Sequence, residues 1–252
     1  MPSIFLVSDL HSELYTSAQE VFSKVSWSPA DILVLAGDIG NIVLQKQIYK
    51  DLLTLCKAQY KDVIVILGNH EYYHCDFDML QVRVTARLLC NEVGVTLLDR
   101  ESLIIQGIRF VGATLWSIIN AETVHILNDM RQSVFPSQIE YVAEFIKDFT
   151  FIQSELEEHK NDNVPTIVIT HHLPSNALIH PRFMSSAYNS AFVTDILDRV
   201  ELKNVLYWFC GHTHEHMNRL HRNTTRLVVN PVGYPKEPRA TNVSKEVFQI
   251  DI

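Results

Sequence analysis

The sequence predicts an α/β fold in which a mainly parallel β-sheet is covered by helices and continues into a second sheet or an antiparallel extension. Three observations carry this. Residues 4–7, 32–36 and 63–67 (IFLV, ILVLA, VIVIL) are near-continuous apolar runs separated by stretches of helical periodicity, the βαβαβ rhythm of strands buried on both faces. Residues 95–111 differ in style, holding short strand-like runs at close spacing. Five apolar runs end in polar, metal-capable residues: 4–11 (IFLVSDLH), 32–38 (ILVLAGD), 63–71 (VIVILGNHE), 166–172 (TIVITHH) and 205–214 (VLYWFCGHTH). Strands that deliver such side chains at their carboxyl ends place them along one edge, where open α/β sheets bind ligands.

Taken in order, the strand at 4–7 is followed by a helix that Ser12 and Glu13 open and that runs to about Val25. Leu14, Ala18, Val21, Phe22 and Val25 fall at helical spacing, and Pro29 stops it. The strand at 32–36 ends in Gly37-Asp38, and a helix over roughly 43–58 carries an inner stripe of Leu44, Ile48, Leu52 and Leu55. After the third strand a helix spans about 77–91. Short strands follow at 95–97, 102–105 and 108–111, the last two joined by Gln106-Gly107 as a hairpin turn. Residues 113–136 lack a period and read as an inserted loop with little regular structure. A long helix over 137–159 opens on Ser137 with Glu140 in capping-box spacing. The fourth motif strand leads into a polar segment at 173–189, a helix from Ser190 to about Val200, the fifth motif strand, and final strands at 226–229 and 247–250. No repeat or linker interrupts the chain, so one domain over 1–252 is expected, with loops 113–136 and 173–189 shaping the substrate site.

Composition bounds the function. The 252 residues are 47% hydrophobic and 20% charged, ordinary for a globular enzyme. A formal net charge of −8 disfavours long nucleic acid as a partner, which needs a basic surface. Cys56, Cys75, Cys90 and Cys210 are widely spaced and read as free thiols. With no leader-like start and no apolar run of membrane-span length, a cytoplasmic protein is expected, and Asn223 and Asn242 are chance glycosylation sequons.

The polar tips are Asp9 and His11, Asp38, Asn69 with His70, His171 with His172, and His212 with His214. Carboxylates, an amide oxygen and imidazoles suit divalent Mn, Fe or Zn. About seven donors exceed what one tetrahedral ion uses, so two ions are expected, with Asp38 able to bridge them. Asp9-x-His11 and His212-x-His214 put alternate residues on one side of an extended chain, and Gly37, Gly68 and Gly211 allow close backbone approach. Two divalent ions bring four positive charges and two aspartates return two negative ones, an anion well in an acidic protein. Hydrolysis of a phosphate ester, by a hydroxide bridging the two metals, is the reaction this suits best.

In this order D-x-H, G-D, G-N-H-E, H and G-H-x-H resemble the calcineurin-like metallophosphoesterase family, over Asp9 to His214. The resemblance implies a four-layer α/β/β/α sandwich of two mixed β-sheets flanked by helices. By motif position it implies Asp9, His11, Asp38 and His214 at a first metal, and Asp38, Asn69, His171 and His212 at a second. His70 matches the family histidine that contacts the scissile phosphate and protonates the leaving oxygen. The second acidic residue often found after G-D is missing, since Asp38 is followed by Ile39-Gly40-Asn41. A small phosphomonoester or phosphodiester is the expected substrate. Alternatives are a cyclic-nucleotide or nucleic-acid phosphodiesterase and, from another class, a binding scaffold without turnover.

The remaining candidates are weaker. His172 competes with His171 as ligand, and Glu71 is expected to orient a ligand or His70. Tyr72, Tyr73 and His74 line the pocket or pack beneath it. Arg131, Arg182 and Arg239 are able to fork onto a phosphate but read first as solvated surface. Residues 230–234 (NPVGY) read as a structural turn, His216 as a neighbour of the ligands, His125, His159, His180 and His221 as surface, and Cys210 as strand packing.

Overall fold

A computed structural model describes residues 1–73, 77–132, 135–237 and 243–251. The first half contains β1 (Ser3–Val7), α1 (Ala18–Phe22), β2 (Ile32–Ala36), α2 (Lys46–Gln59), β3 (Asp62–Ile66) and α3 (Met79–Val93). There follow β4 (Thr96–Leu97), the hairpin β5 (Glu101–Ile105) and β6 (Ile108–Gly112), and the short helices α4 (Ala121–Val124) and α5 (Asn128–Arg131). The long helix α6 (Gln138–Glu158), β7 (Thr166–Ile169), β8 (Val205–Cys210), β9 (Met217–His221), β10 (Thr225–Val229) and β11 (Val247–Gln249) complete the order.

The strands form two mixed sheets flanked by helices. One runs β11-β1-β2-β3-β4 and the other β5-β6-β7-β8-β10-β9. In the first, β1 to β4 are parallel and β11 antiparallel; in the second, β6, β7, β8 and β10 are parallel and β5 and β9 antiparallel edges. Side-chain alternation sorts the core into layers. Ile4, Leu6, Val34 and Ile66 face Phe110, Ile167, Ile169 and Phe209 between the sheets, while Phe5, Val7, Leu33 and Val65 face the helices. Strands buried on both faces explain the unbroken apolar runs. Among the described residues no helix is long and apolar enough to cross a membrane.

Several elements differ from the sequence reading. Ser12–Leu14 is only a 3₁₀ turn, and α1 begins later because the Ser17 hydroxyl accepts from the Glu20 amide as its N-cap. Leu44 lies before α2 and is 60% exposed; Asn41 Oδ1 accepts from the Val43 and Leu44 amides and fixes a turn there. The expected helix at 190–200 is absent. Two 3₁₀ turns (Asn189–Ala191, Leu197–Arg199) flank a stretch where Leu173 and Val193 pair as a β-bridge, a backbone that suits β-branched Val193 and Thr194. The insertion at 113–136 contains α4 and α5, and β9, an edge strand of polar alternation (MNRLH), had no apolar signal. The expected hairpin turn is present, with Gln106 and Gly107 both at positive φ (50° and 81°).

Helix α6 is fastened by ion pairs. Its Glu144 accepts from Arg83 (2.7 Å) and Arg100 (3.0 Å), and Arg100 also reaches Asp148 at 2.9 Å.

Candidate metal centre

Every motif strand turns sharply at its carboxyl end. β1, β2 and β3 of one sheet and β7 and β8 of the other deliver Asp9 and His11, Asp38, Asn69 and His70, His171 and His172, and His212 and His214 to one rim. Asp9, His11, Asp38, His212 and His214 all have positive φ, between 47° and 73°. Non-glycine residues in this region cost on the order of 1–3 kcal/mol each and persist where the surroundings impose them. The strain curls the backbone so that consecutive polar side chains point inward.

Three donor groups result among the described residues, one of them His11, Glu13 and His70 and the other two made of the predicted ligands. The ligand-capable atoms of Asp9, His11 and His214 lie within 4.8 Å of one another, as do those of Asp38, His171 and His212. Asp38 stands between them. Its Oδ2 is 3.9 Å from His11 Nε2, and its Oδ1 is 3.3 Å from His171 Nε2. Asn69 Oδ1 closes the second group at 3.1 Å from His171 Nε2, and His214 Nε2 is 3.5 Å from Asp9 Oδ1 in the first.

Neighbouring acceptors fix the imidazole tautomers. His171 Nδ1 donates to the Ala36 carbonyl (2.9 Å), His11 Nδ1 to Glu13 Oε1 (3.1 Å) and His214 Nδ1 to Glu237 Oε2 (2.9 Å). With Nδ1 engaged, each Nε2 turns its lone pair inward. His11 Nε2 and His214 Nε2 then face each other at 2.9 Å, an arrangement that a shared cation, proton or metal, must hold together. His212 Nε2 is buried with no hydrogen-bond partner among the described atoms. Facing lone pairs, an orphaned buried imidazole nitrogen and carboxylate oxygens make a donor set that fits divalent cations.

The electrostatics agree. Burial would raise the Asp38 carboxyl, but the imidazoles of His171, His70 and His11 outweigh it and hold it well below the usual range. Burial likewise opposes charge on His171 and His214, yet Asp38 lifts His171 to about 9, and Asp9 with Glu237 lifts His214 to about 10. The rim draws positive charge.

Close packing sets the spacing. A Cβ on Gly68 would lie 2.1 Å from Asp38 Oδ1 and 2.5 Å from the Asp38 amide nitrogen. A Cβ on Gly37, at φ +83°, would meet His171 Nδ1 at 2.5 Å. Glu71 braces the same crossing: its carboxylate accepts from the amides of Gly68 (2.8 Å), Asp38 (3.2 Å) and Ile39 (2.8 Å). Burial, reinforced by the nearby Asp38 carboxylate, pushes Glu71 up to about 8.

The other predicted residues fall into place around this rim. His70 has Nε2 3.9 Å from Asp38 Oδ2 and 3.2 Å from the Tyr234 hydroxyl. Its Nδ1 is 2.8 Å from Glu13 Oε1, the oxygen that also accepts from His11. His172 sits behind the donor groups, its ring 4.2 Å from His212 and 5.4 Å from Trp116; burial and then His171 lower it to about 3. Tyr72 is turned inward, packed on Trp116 with its hydroxyl 3.3 Å from Arg83 Nε, whereas Tyr73 reaches the cleft. Arg131 is exposed and donates to the His125 carbonyl at 3.2 Å, outside the cleft lining. Arg182 lines the cleft and pairs with Glu215. His216 is exposed, and His159 pairs with Glu155 and Asp162. His74, Cys75, Arg239 and Asn242 lie outside the described residues.

Four contributors escaped the sequence reading. Glu13 and Glu237 hold the imidazoles of His11 and His214. Asp129, in the insertion, accepts from Asn69 Nδ2 at 2.9 Å and the Tyr73 hydroxyl at 2.5 Å, which leaves Asn69 Oδ1 free to face His171. Tyr234, read as part of a turn, packs its ring 4.5 Å from those of His11 and His214. For Glu13 the one hint was the acid missing after Gly37-Asp38, which pointed to no particular replacement. The others had none at a recognisable spacing. Above the rim opens a cleft of about 580 Å³, of the size that holds a small-molecule ligand.

The chain is similar to known proteins along most of its length. The chain is 29% identical, over 92% of its length and 91% of the relative's, to an uncharacterized protein of Acanthamoeba polyphaga mimivirus. It is 26% identical to a probable cyclic nucleotide phosphodiesterase of Coxiella burnetii, over 86% of this chain and 78% of that one. Its fold is similar to the crystal structure of the phosphopantetheinyl hydrolase of Mycobacterium tuberculosis, with TM-score 0.70 and 20% identity over 99% of this chain and 95% of that one. Residues 2–216 match the calcineurin-like phosphoesterase family, so the chain belongs to that family of metal-dependent phosphoric ester hydrolases.

Proposed function

We propose that the chain is a dinuclear enzyme that hydrolyses a small phosphate ester, with residues 1–252 acting as one catalytic domain. The observation that carries this reading is Asp38, whose two oxygens face two separate donor groups across 3.9 Å and 3.3 Å. Asp9, His11, Asp38 and His214 would hold one divalent ion of the Mn, Fe or Zn class, and Asp38, Asn69, His171 and His212 the other. Two such ions supply positive charge for an anionic ester, acidify water and offset charge developing on the phosphoryl oxygens.

The chain's own groups supply the rest. His70 presents Nε2 to the cleft while Glu13 holds Nδ1 at 2.8 Å, which fixes the ring and opposes loss of its charge. Burial works against that charge, but the Asp38 and Glu13 carboxylates outweigh it and raise the imidazole above its ordinary value. His70 is therefore placed to give a proton to the departing ester oxygen. Glu13 acts through His70 as a positioning residue, in the role of the acid that does not follow Asp38. Tyr234, 3.2 Å from His70 Nε2, lies where it can bind a non-reacting phosphoryl oxygen.

The test is hydrolysis of chromogenic phosphomonoesters and phosphodiesters with added Mn, beside metal content. Asp38→Ala is expected to lose both bound metal and turnover, and His70→Ala turnover while keeping metal. Metal-replete protein that hydrolyses no ester would leave the binding-scaffold reading in place.

A further inference from the structure

The cleft continues well beyond the metal rim, and its outer part has a different chemistry. One wall comes from the insertion (Ile126, Leu127) and the other from the segment between β7 and β8 (Ile179, Phe183, Tyr188, Phe192). The walls are tied together. Thr123 Oγ1 is 2.9 Å from Ser190 Oγ, the Asn120 amide donates to Ser190 Oγ at 3.3 Å, and the Ile118 amide to Thr194 Oγ1 at 2.8 Å. The apolar surface is continuous with the rim, since the Phe192 ring lies 4.8 Å from that of His212. At the mouth Ile126, Phe183 and Tyr188 are 38%, 43% and 53% exposed and form an apolar patch.

Charge is arranged the opposite way. Arg182 is the cation of an arginine or lysine among the described lining residues. Its guanidinium pairs with the buried Glu215 and stacks over Phe183 at 4.3 Å. Glu215 and Glu237 are also in the lining. Beyond the metal rim the described walls offer aromatic and aliphatic surface beside the neutral Asn128, Ser186 and Asn189, and the Arg182 guanidinium there is already paired with Glu215.

Resting on the phosphoesterase reading, we propose that the substrate is a singly charged phosphodiester whose non-reacting substituent is large, uncharged and apolar or aromatic. The rim takes the one phosphoryl group, and the substituent lies between the two walls against Phe192, Phe183 and Tyr188. Polyphosphates, sugar bisphosphates and other polyanions fit the described walls poorly, because a second charge would lie against apolar surface there. Aromatic rings stack well on such walls.

The experiment uses the full-length, Mn-loaded protein and diesters with one leaving group, p-nitrophenolate, so that the chemical step stays the same. The second substituent varies through methyl, phenyl and a nucleoside, with p-nitrophenyl phosphate as the monoester. Expected is a rise in kcat/KM of at least about 10-fold from methyl to phenyl, carried in KM, with the monoester poorest; ten-fold corresponds to about 1.4 kcal/mol. Phe192→Ala and the more exposed Tyr188→Ala should each shrink the phenyl-to-methyl ratio toward one. Tyr188→Ala keeps the test open where Phe192→Ala fails to fold. A flat series, a preference for the monoester, or ratios unmoved in a folded variant would overturn the assignment while leaving the phosphoesterase reading intact. No hydrolysis of any member would instead strike at that reading.

Discussion

Glu13 offers a perturbation whose size follows from the structure. One oxygen, Oε1, accepts from His70 Nδ1 at 2.8 Å and from His11 Nδ1 at 3.1 Å, so a single carboxylate holds both the proposed acid and a proposed ligand. Burial raises Glu13, but the two imidazoles outweigh it and bring the carboxyl down to about 2, so it is charged at any working pH. Glu13→Gln can keep an oxygen in that place but not the charge. Charge-assisted bonds contribute about 1.5–3 kcal/mol and neutral ones about 0.5–1.5 kcal/mol, so roughly 1–1.5 kcal/mol is lost at His70, or about ten-fold in kcat. Glu13→Ala removes both bonds and should cost about 10–100-fold. The assay is kcat and KM for a p-nitrophenyl and an alkyl ester of the same phosphoryl group, with metal content on the same samples. The alkyl ester, whose leaving oxygen needs the proton more, should lose more than the p-nitrophenyl ester. Equal losses on both esters that track a loss of metal would show that Glu13 works only through His11. Unchanged kcat in Glu13→Ala would refute the positioning role outright.

Three further outcomes are expected. Gly68→Ala brings a Cβ to 2.1 Å from Asp38 Oδ1, so the β2 and β3 loops must separate by about 1 Å; a destabilisation of about 1–3 kcal/mol by urea titration should accompany a fall in bound metal. Phe110→Ala empties a fully buried position between the sheets and should cost about 3–5 kcal/mol in the same titration, with metal stoichiometry retained in the folded fraction. Glu144, where burial is outweighed by Lys147, Arg83 and Arg100, is held at about 2, so its contribution is present above pH 4.5 and is lost as the pH falls from there toward 2. Glu144→Gln should therefore be less stable than the parent by about 1–2 kcal/mol at pH 6, allowing for solvent screening, with the gap closing between pH 4.5 and 2.

Local signals in the sequence carried the parallel strands and their polar tips, whereas the four-layer sandwich came from the family resemblance. Strands such as 32–36 and 63–67 are buried on both faces, so their apolar runs mark them, and each ends where a polar side chain must turn inward. Elements on one face or at an edge were harder to read. β9 is an edge strand beside β10, and its polar MNRLH alternation resembles a loop. Residues 190–200 have a helix-like spacing, but tertiary pairing of Val193 with Leu173 overrides it. In the site, side chains on motif strands were legible, whereas Asp129, Tyr234 and Glu237 come from irregular segments whose approach depends on the closed fold. Arg131 is the surface residue it first read as. Its segment belongs to the cleft wall, yet the side chain turns to the His125 carbonyl and solvent.

The most direct test of the shared rim is anomalous scattering from crystals grown with Mn. Two peaks roughly 4 Å apart are expected, one beside Asp9, His11 and His214, the other beside Asn69, His171 and His212, with Asp38 touching both. A single peak, or ions bound away from Asp38, would contradict it.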